Sequence, residues 1–181
     1  MQKTVIHIFG ASGSGTSTLG KALSEALDFK WMDTDDYFWV PTNPKFTTKR
    51  PKEERLVLIQ ADIEASQGAV LSGALTEWGD LLIPLFTLAI RVNTATPVRI
   101  ERIRAREAMR FSERIMPGGD MYEQHQAFLK WAASYDEGGL SMRSRAAHDK
   151  WEKTLTCPLL TLDGALPVEE NLRRVLDVLG R

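Results

Sequence analysis

The 181-residue sequence carries one cysteine, which excludes an internal disulfide and any multi-cysteine metal site. That residue, Cys157, lies in LTCPLL, where apolar neighbours suggest a buried structural thiol rather than a nucleophile. Neither sign of charge is in excess. With 23 basic and 24 acidic side chains the formal charge is −1, so bulk electrostatics give no reason to expect a nucleic-acid polymer as partner. Long apolar runs are missing too, and MQKTVIHIFG passes straight into a strand-like pattern without a charged-then-apolar leader. The expectation is a cytoplasmic protein with no membrane partner. No repeat, low-complexity tract or Pro/Gly/Ser linker divides the chain, and one domain over residues 1–181 is expected. The three histidines have no cysteine or patterned acids around them. His125 and His148 read as surface-helix residues, and His7 as a hydrogen-bonded core residue.

Apolar runs alternate with helix-period segments from end to end. Strands are expected at 4–9, 29–33, 69–75, 85–92 and 159–162, and helices at 16–27, from Pro51 to Gly68, from Pro97 to Met109, in pieces over 121–155, and from Pro167. Short strands separated by helices imply an α/β fold, a five-stranded parallel sheet with helices on both faces in three layers. Two stretches break the rhythm, 39–51 and 110–125, and binding residues concentrate on such irregular segments.

The segment HIFGASGSGTSTLG meets the pattern G-x-x-x-x-G-K-[ST] at Gly10, Gly15 and Ser17, but Thr16 stands where the lysine belongs. A glycine-rich turn between a strand and a helix lets backbone N–H groups surround an anion at the positive end of the helix dipole. Gly10, Ser12, Gly13, Ser14, Gly15, Thr16, Ser17 and Thr18 are therefore the candidate nucleotide-binding residues, with Ser17 placed to hold magnesium. The competing explanation is a ligand-free strand-to-helix turn.

Loss of the lysine leaves charge on the transferred phosphate to be met elsewhere. Lys21 lies more than a helical turn on and would have to reach back. Arg99, Arg102, Arg106 and Arg110 recur at intervals of three and four and share a helical face. Arg102, Arg106 and Arg110 are the candidates for phosphate contact, against the alternative of a solvated basic face. On the other side, WMDTDDYFW puts Asp33, Asp35 and Asp36 at the carboxyl end of the second strand, where open parallel sheets bind ligands. Asp33 and Asp35 share a face if the strand continues, one as base and Asp35 as a water-mediated magnesium partner, while Asp36 suits a helix cap. Tyr37, Phe38 and Trp39, with Lys45, Lys49 and Arg50, suit either a ring-bearing or anionic acceptor or a packed loop with solvated bases. Arg143 and Arg145 read most simply as solvated, and Trp131, Tyr135 and Trp151 as core.

Taken in order, GASGSGTST, DTDDY, LSGAL and RIERIRAREAMRFSERI resemble the nucleoside-monophosphate-kinase branch of P-loop proteins, which includes adenylate, shikimate and gluconate kinases. The resemblance implies a five-stranded parallel core, an acceptor-binding insertion at about 34–66 and a helical, arginine-bearing lid at about 110–125. It also implies ATP or GTP with Mg2+, and phosphoryl transfer to a nucleotide-like or hydroxyl- or sugar-type acceptor. Three features depart from that pattern: Thr16 itself, a third strand ending in LSGAL without an acid, and an acceptor segment that matches no specific substrate signature. They leave open a nucleotide-binding regulatory module with little turnover.

Overall fold

A computed structural model describes residues 3–181. Its sheet has five strands: β1 (Thr4–Gly10), β2 (Lys30–Asp33), β3 (Gly68–Ser72), β4 (Leu88–Asn93) and β5 (Leu159–Asp163). Their spatial order is β2-β3-β1-β4-β5, and every pairing is parallel. The central strands read as continuous apolar runs because helices cover both faces; β3 is buried along its whole length. Side-chain alternation divides the core in two. Val5 and Phe9 of β1 face one layer, with Met32, Leu71, Ile59, Trp78, Leu82 and Trp151. Ile6 and Ile8 face the other, with Leu19, Leu23, Leu27, Ile90 and Val175.

Seven α-helices connect the strands: α1 (Thr16–Leu27), α2 (Thr34–Phe38), α3 (Lys52–Ala65), α4 (Thr96–Phe111), α5 (Tyr122–Ala133), α6 (Arg145–Glu152) and α7 (Val168–Val178). Proline occupies the cap position of α3 and α7 and lies in the first turn of α4, where its missing N–H has no intrahelical partner to lose. The acidic residues Glu53 and Glu54 of α3, and Glu169 and Glu170 of α7, add a favourable dipole interaction at the same ends.

Two strand limits differ from the sequence expectation. β3 stops at Ser72 because Gly73 adopts φ 123°, a conformation closed to residues with a side chain. Residues Asp80–Leu85 form a 3-10 helix instead of opening the fourth strand, which begins at Leu88. All five strands end on one edge of the sheet, and the phosphate-binding motif follows the central one.

Candidate active site

The loop after β1 is shaped by glycine and held from outside. Gly13 has φ 80°, and a side chain there would press its Cβ to 2.6 Å from the Arg99 carbonyl. Gly15 precedes α1 in a left-handed conformation, and no side chain caps the helix, so its first N–H groups are left for an anion. The buried hydroxyl of Ser14 likewise has no hydrogen-bond partner. The Thr94 hydroxyl donates to the Ser14 carbonyl at 3.0 Å, and Arg99 Nη1 donates to the Ser12 carbonyl at 3.3 Å. Arg99 is therefore a structural residue. It is wholly buried, donates also to the carbonyls of Thr94 and Ala132 and to the Thr96 hydroxyl, and stands apart in role from the rest of the arginine stripe.

Two clefts open on this loop. One lies over α1 and the β5–α7 turn, lined by the loop, Arg102, Gly164 and Pro167. Arg102 Nη1 donates to the Gly164 carbonyl at 2.9 Å, joining α4 to that turn. The other is a cavity of about 360 Å³ on the α2 and α5 side, which includes Asp33, Asp35, Trp39, His125, Trp131 and Arg143. Gly13, Thr16, Ser17, Arg106 and Arg110 line both. The clefts thus meet at the phosphate loop.

β2 ends at Asp33 and α2 starts at Thr34, so Asp33 and Asp35 do not continue an alternating strand. It is Asp33, and not Asp36, that caps α2, its Oδ1 accepting from the Asp35 N–H at 3.0 Å. Its other oxygen accepts from the Ser17 hydroxyl at 3.4 Å. Burial, reinforced by the nearby Asp35 charge, raises the Asp33 carboxyl to a pKa of about 6. Asp33 is also the register partner of Ser72. The neighbouring strand thus carries an acid level with the end of β3.

Several residues lie elsewhere than the sequence suggested. Arg143 lines the second cavity, with Nη1 3.3 Å from the Ser12 hydroxyl and its guanidinium 5.5 Å from the Trp131 ring centroid. Trp131 is half-buried on the cavity wall rather than in the core. His125 and His148 are buried, not surface residues. His125 lines the cavity, and His148 Nδ1 meets the Tyr135 hydroxyl at 2.8 Å. Lys21 sits 4.7 Å from the Trp31 ring centroid and lines the first cleft. Of the aromatic trio, Tyr37 is buried and donates to Asp62, Phe38 packs under Arg55, and Trp39 lines the cavity. Arg145 pairs with Asp136 at 2.7 Å, and Cys157 is half-buried against the core. His7 is the expected core residue, with Nε2 2.9 Å from the Gly73 carbonyl. The Arg143 position depends on how the chain folds back after α5 and the burial of His125 on what α5 packs against, and helical period alone carries no signal of either.

The cavity is covered from two sides. Phe111, Ile115 and Met121 pack against Phe46 of the 39–51 segment. Arg114 Nη1 donates to Asn43 Oδ1 at 3.2 Å, and Gln124 Nε2 to the Lys45 carbonyl at 3.2 Å. Arg114 is itself fixed by a forked pair with Asp120, at 2.9 and 2.7 Å.

Residues 6–121 match the AAA domain family. The chain belongs to this family. A relative, the uncharacterized protein YqaC of Bacillus subtilis (strain 168), is 44% identical over 178 residues, 98% of each chain. Among solved structures, a shikimate kinase from Bacteroides thetaiotaomicron is similar at a TM-score of 0.56 and 15% identity, over 98% of this chain and 99% of that one. A gluconokinase from Sinorhizobium meliloti 1021 gives 0.55 and 20%, over 99% and 93%. The likenesses establish the fold, the P-loop kinase-like α/β architecture read from the sequence. Among the described residues no helix is long and apolar enough to cross a membrane.

Proposed function

We propose that this AAA-domain protein is an ATP- or GTP-dependent small-molecule kinase acting in the cytoplasm, which transfers the γ-phosphoryl group to an acceptor hydroxyl. The observation that carries this reading is the shared wall of the two clefts: Gly13, Thr16, Ser17, Arg106 and Arg110 face both. A group held in one cleft and a group held in the other meet at a single phosphate site, the geometry that direct transfer requires.

The donor phosphates would lie on the backbone of Gly10, Ser12, Gly13, Ser14 and Gly15 and the start of α1, with Thr16 and Thr18 beside them. The left-handed Gly15 and the uncapped start of α1 fit such an anion. Among the described residues no cluster of three or more His, Cys, Asp or Glu could hold a metal by itself. Ser17, with Asp35 at the cavity edge, suits Mg2+, which takes few protein ligands and completes its shell with phosphate and water. Bound there, magnesium would neutralise charge developing between the β- and γ-phosphates.

Asp33 would accept the proton of the acceptor hydroxyl, and its raised pKa suits that task near neutrality. Arg106, Arg110 and Arg143 would offset the missing lysine, with Arg102 tying the donor side to the β5–α7 turn. Residues 110–125 would act as the lid, and residues 34–66 as the acceptor-binding insertion, the two halves already latched through Arg114 and Gln124.

Thr16 favours a second reading, a nucleotide-binding regulatory module with little turnover. A screen of γ-labelled ATP and GTP against sugars, hydroxy acids, nucleosides and nucleoside monophosphates separates the two. Transfer to one acceptor class supports the kinase. Tight nucleotide binding with no transfer to any of them would establish the module instead.

A further inference from the structure

We infer that the acceptor is a heteroaromatic alcohol, a molecule carrying its hydroxyl beside a flat ring. The inference rests on the kinase reading of the same cavity and narrows it. Two pairs of rings face that cavity: Trp39 and Phe46, from the segment after α2, with centroids 6.0 Å apart, and Phe128 and Trp131 of α5, 5.9 Å apart and stacked. All four are half-buried, whereas Phe9, Tyr37, Trp78, Phe86, Tyr135 and Trp151 are buried in the core. Leaving apolar area in water costs roughly 25 cal/mol per Å². Four such rings converging on one cavity of about 360 Å³ mark a place for a ligand with an apolar face.

The polar groups set the other end of the molecule. Asp33 and Asp35 lie where the cavity meets the phosphate loop. An acceptor phosphate is already an oxyanion and needs no base. A hydroxyl needs a base, and Asp33 is there. Aliphatic polyols and sugar acids have no flat apolar face to set against the four rings. Buried His125 lines the same cavity, and its Nδ1 has no hydrogen-bond partner, leaving a polar group to meet the edge of a heterocycle.

In the transfer, the acceptor O–H gives its proton to the Asp33 carboxylate and its oxygen forms the new bond to the γ-phosphorus of the nucleoside triphosphate. The bond from that phosphorus to the β-bridging oxygen breaks, and the nucleoside diphosphate leaves with both electrons. Two sources share the required chemistry, nucleosides and single-ring hydroxymethyl heterocycles.

Tryptophan-fluorescence titration of the intact protein, without triphosphate, tests the class with adenosine, thymidine, 3-hydroxymethylpyridine, gluconate, shikimate and AMP. The expected result is at least tenfold tighter binding of a nucleoside or of the pyridine alcohol than of gluconate, shikimate or AMP, and the preference between those two names the source. Trp39→Ala and Trp131→Ala should each weaken that binding at least tenfold, whereas Trp39→Phe, which keeps a ring and guards against misfolding, should retain most of it. Preferential binding of gluconate, shikimate or AMP overturns the inference. The same panel is then assayed for transfer. Phosphorylation of gluconate or shikimate alone leaves the kinase standing and removes the acceptor class. Tight binding of a heteroaromatic alcohol with no transfer to any acceptor upholds the class and removes the kinase.

Discussion

Arg99 Nη1 donates to the carbonyl of Ser12 at 3.3 Å, so the phosphate loop is held in shape by a side chain of α4. The same guanidinium lies 5.1 Å from the Tyr135 ring centroid and 3.8 Å from Asp136. Replacing Arg99 by methionine leaves three carbonyls short of a donor in a buried setting. The expected loss of stability is about 3 kcal/mol, at the upper end for a single substitution. Urea denaturation measures it. Arg99→Lys should recover little of the loss, because an ammonium cannot reproduce the planar fork.

Asp33→Asn separates chemistry from folding. Asparagine caps α2 as well as aspartate does, so the helix is kept. The folded carboxyl titrates at about 6, above the ordinary carboxylate value of 3.8, so the native state holds its proton more tightly than the unfolded chain does. Stability contributed by that proton is present at low pH and is lost as pH rises through about 6. Asp33→Asn should therefore raise stability at pH 8 by roughly 1–2 kcal/mol and have little effect near pH 4. In wild-type protein the rate of transfer should rise with pH through about 6, where the base becomes ionised, and Asp33→Asn should abolish it.

Two buried histidines give the opposite slope. Burial lowers His7 to about 4 and His148 to about 3, the latter with help from the Arg143 and Arg91 charges. The unfolded chain takes up these protons near pH 6.5 and the folded chain refuses them, so their contribution is complete above 6.5 and lost as pH falls toward 4 and 3. The melting temperature should drop between pH 6.5 and 4.5 despite the opposing effect of Asp33. Replacing His148 by glutamine should flatten that drop; an unchanged profile would show that His148 is not held neutral.

The cations near the loop can be tested by substitution and rescue. If Arg106 stands in for the lysine, Thr16→Lys alone should alter nucleotide affinity by less than about threefold, since the role is already filled. Arg106→Ala should weaken affinity by about tenfold or more, as expected for a charged hydrogen bond to phosphate, and Thr16→Lys in that background should restore most of it. Calorimetric titration with a non-hydrolysable triphosphate reads both. Arg143→Ala serves as the parallel test for the cation that reaches Ser12.

The strands were legible because a parallel sheet covered on both faces writes its buried positions as unbroken apolar runs, as in TVIHIFG and GAVLS. The phosphate loop was legible because its glycines are dictated by backbone geometry. Other assignments failed where a side chain's role depends on distant packing. Arg99 has the spacing of its stripe but sits at the buried end of α4, and His148 has polar helix neighbours yet lies under Tyr135. Asp33 and Asp35 are two apart in sequence, but α2 begins between them and ends the alternation. Arg143 required knowledge of the path from α5 to α6, and the turn chemistry of DEGGLSMRS does not specify that path.

Arg91 of β4, buried beneath α6, donates from Nη1 to both Asp149 and Glu152 at 2.6 Å. It fixes α6, and the Ser144 hydroxyl, which accepts from Ala147 and donates to Gly139, fixes the turn that carries Arg143 into that helix. Arg110, by contrast, lies where α4 runs into the cover. Arg143 is thus tied through α6 to the sheet, whereas Arg110 would travel with residues 110–125 if these act as a lid. On the proposed reading, raising that cover would weaken the field at the phosphates by a fraction rather than remove it, and the acceptor side would exchange its occupant while the donor side retained its own.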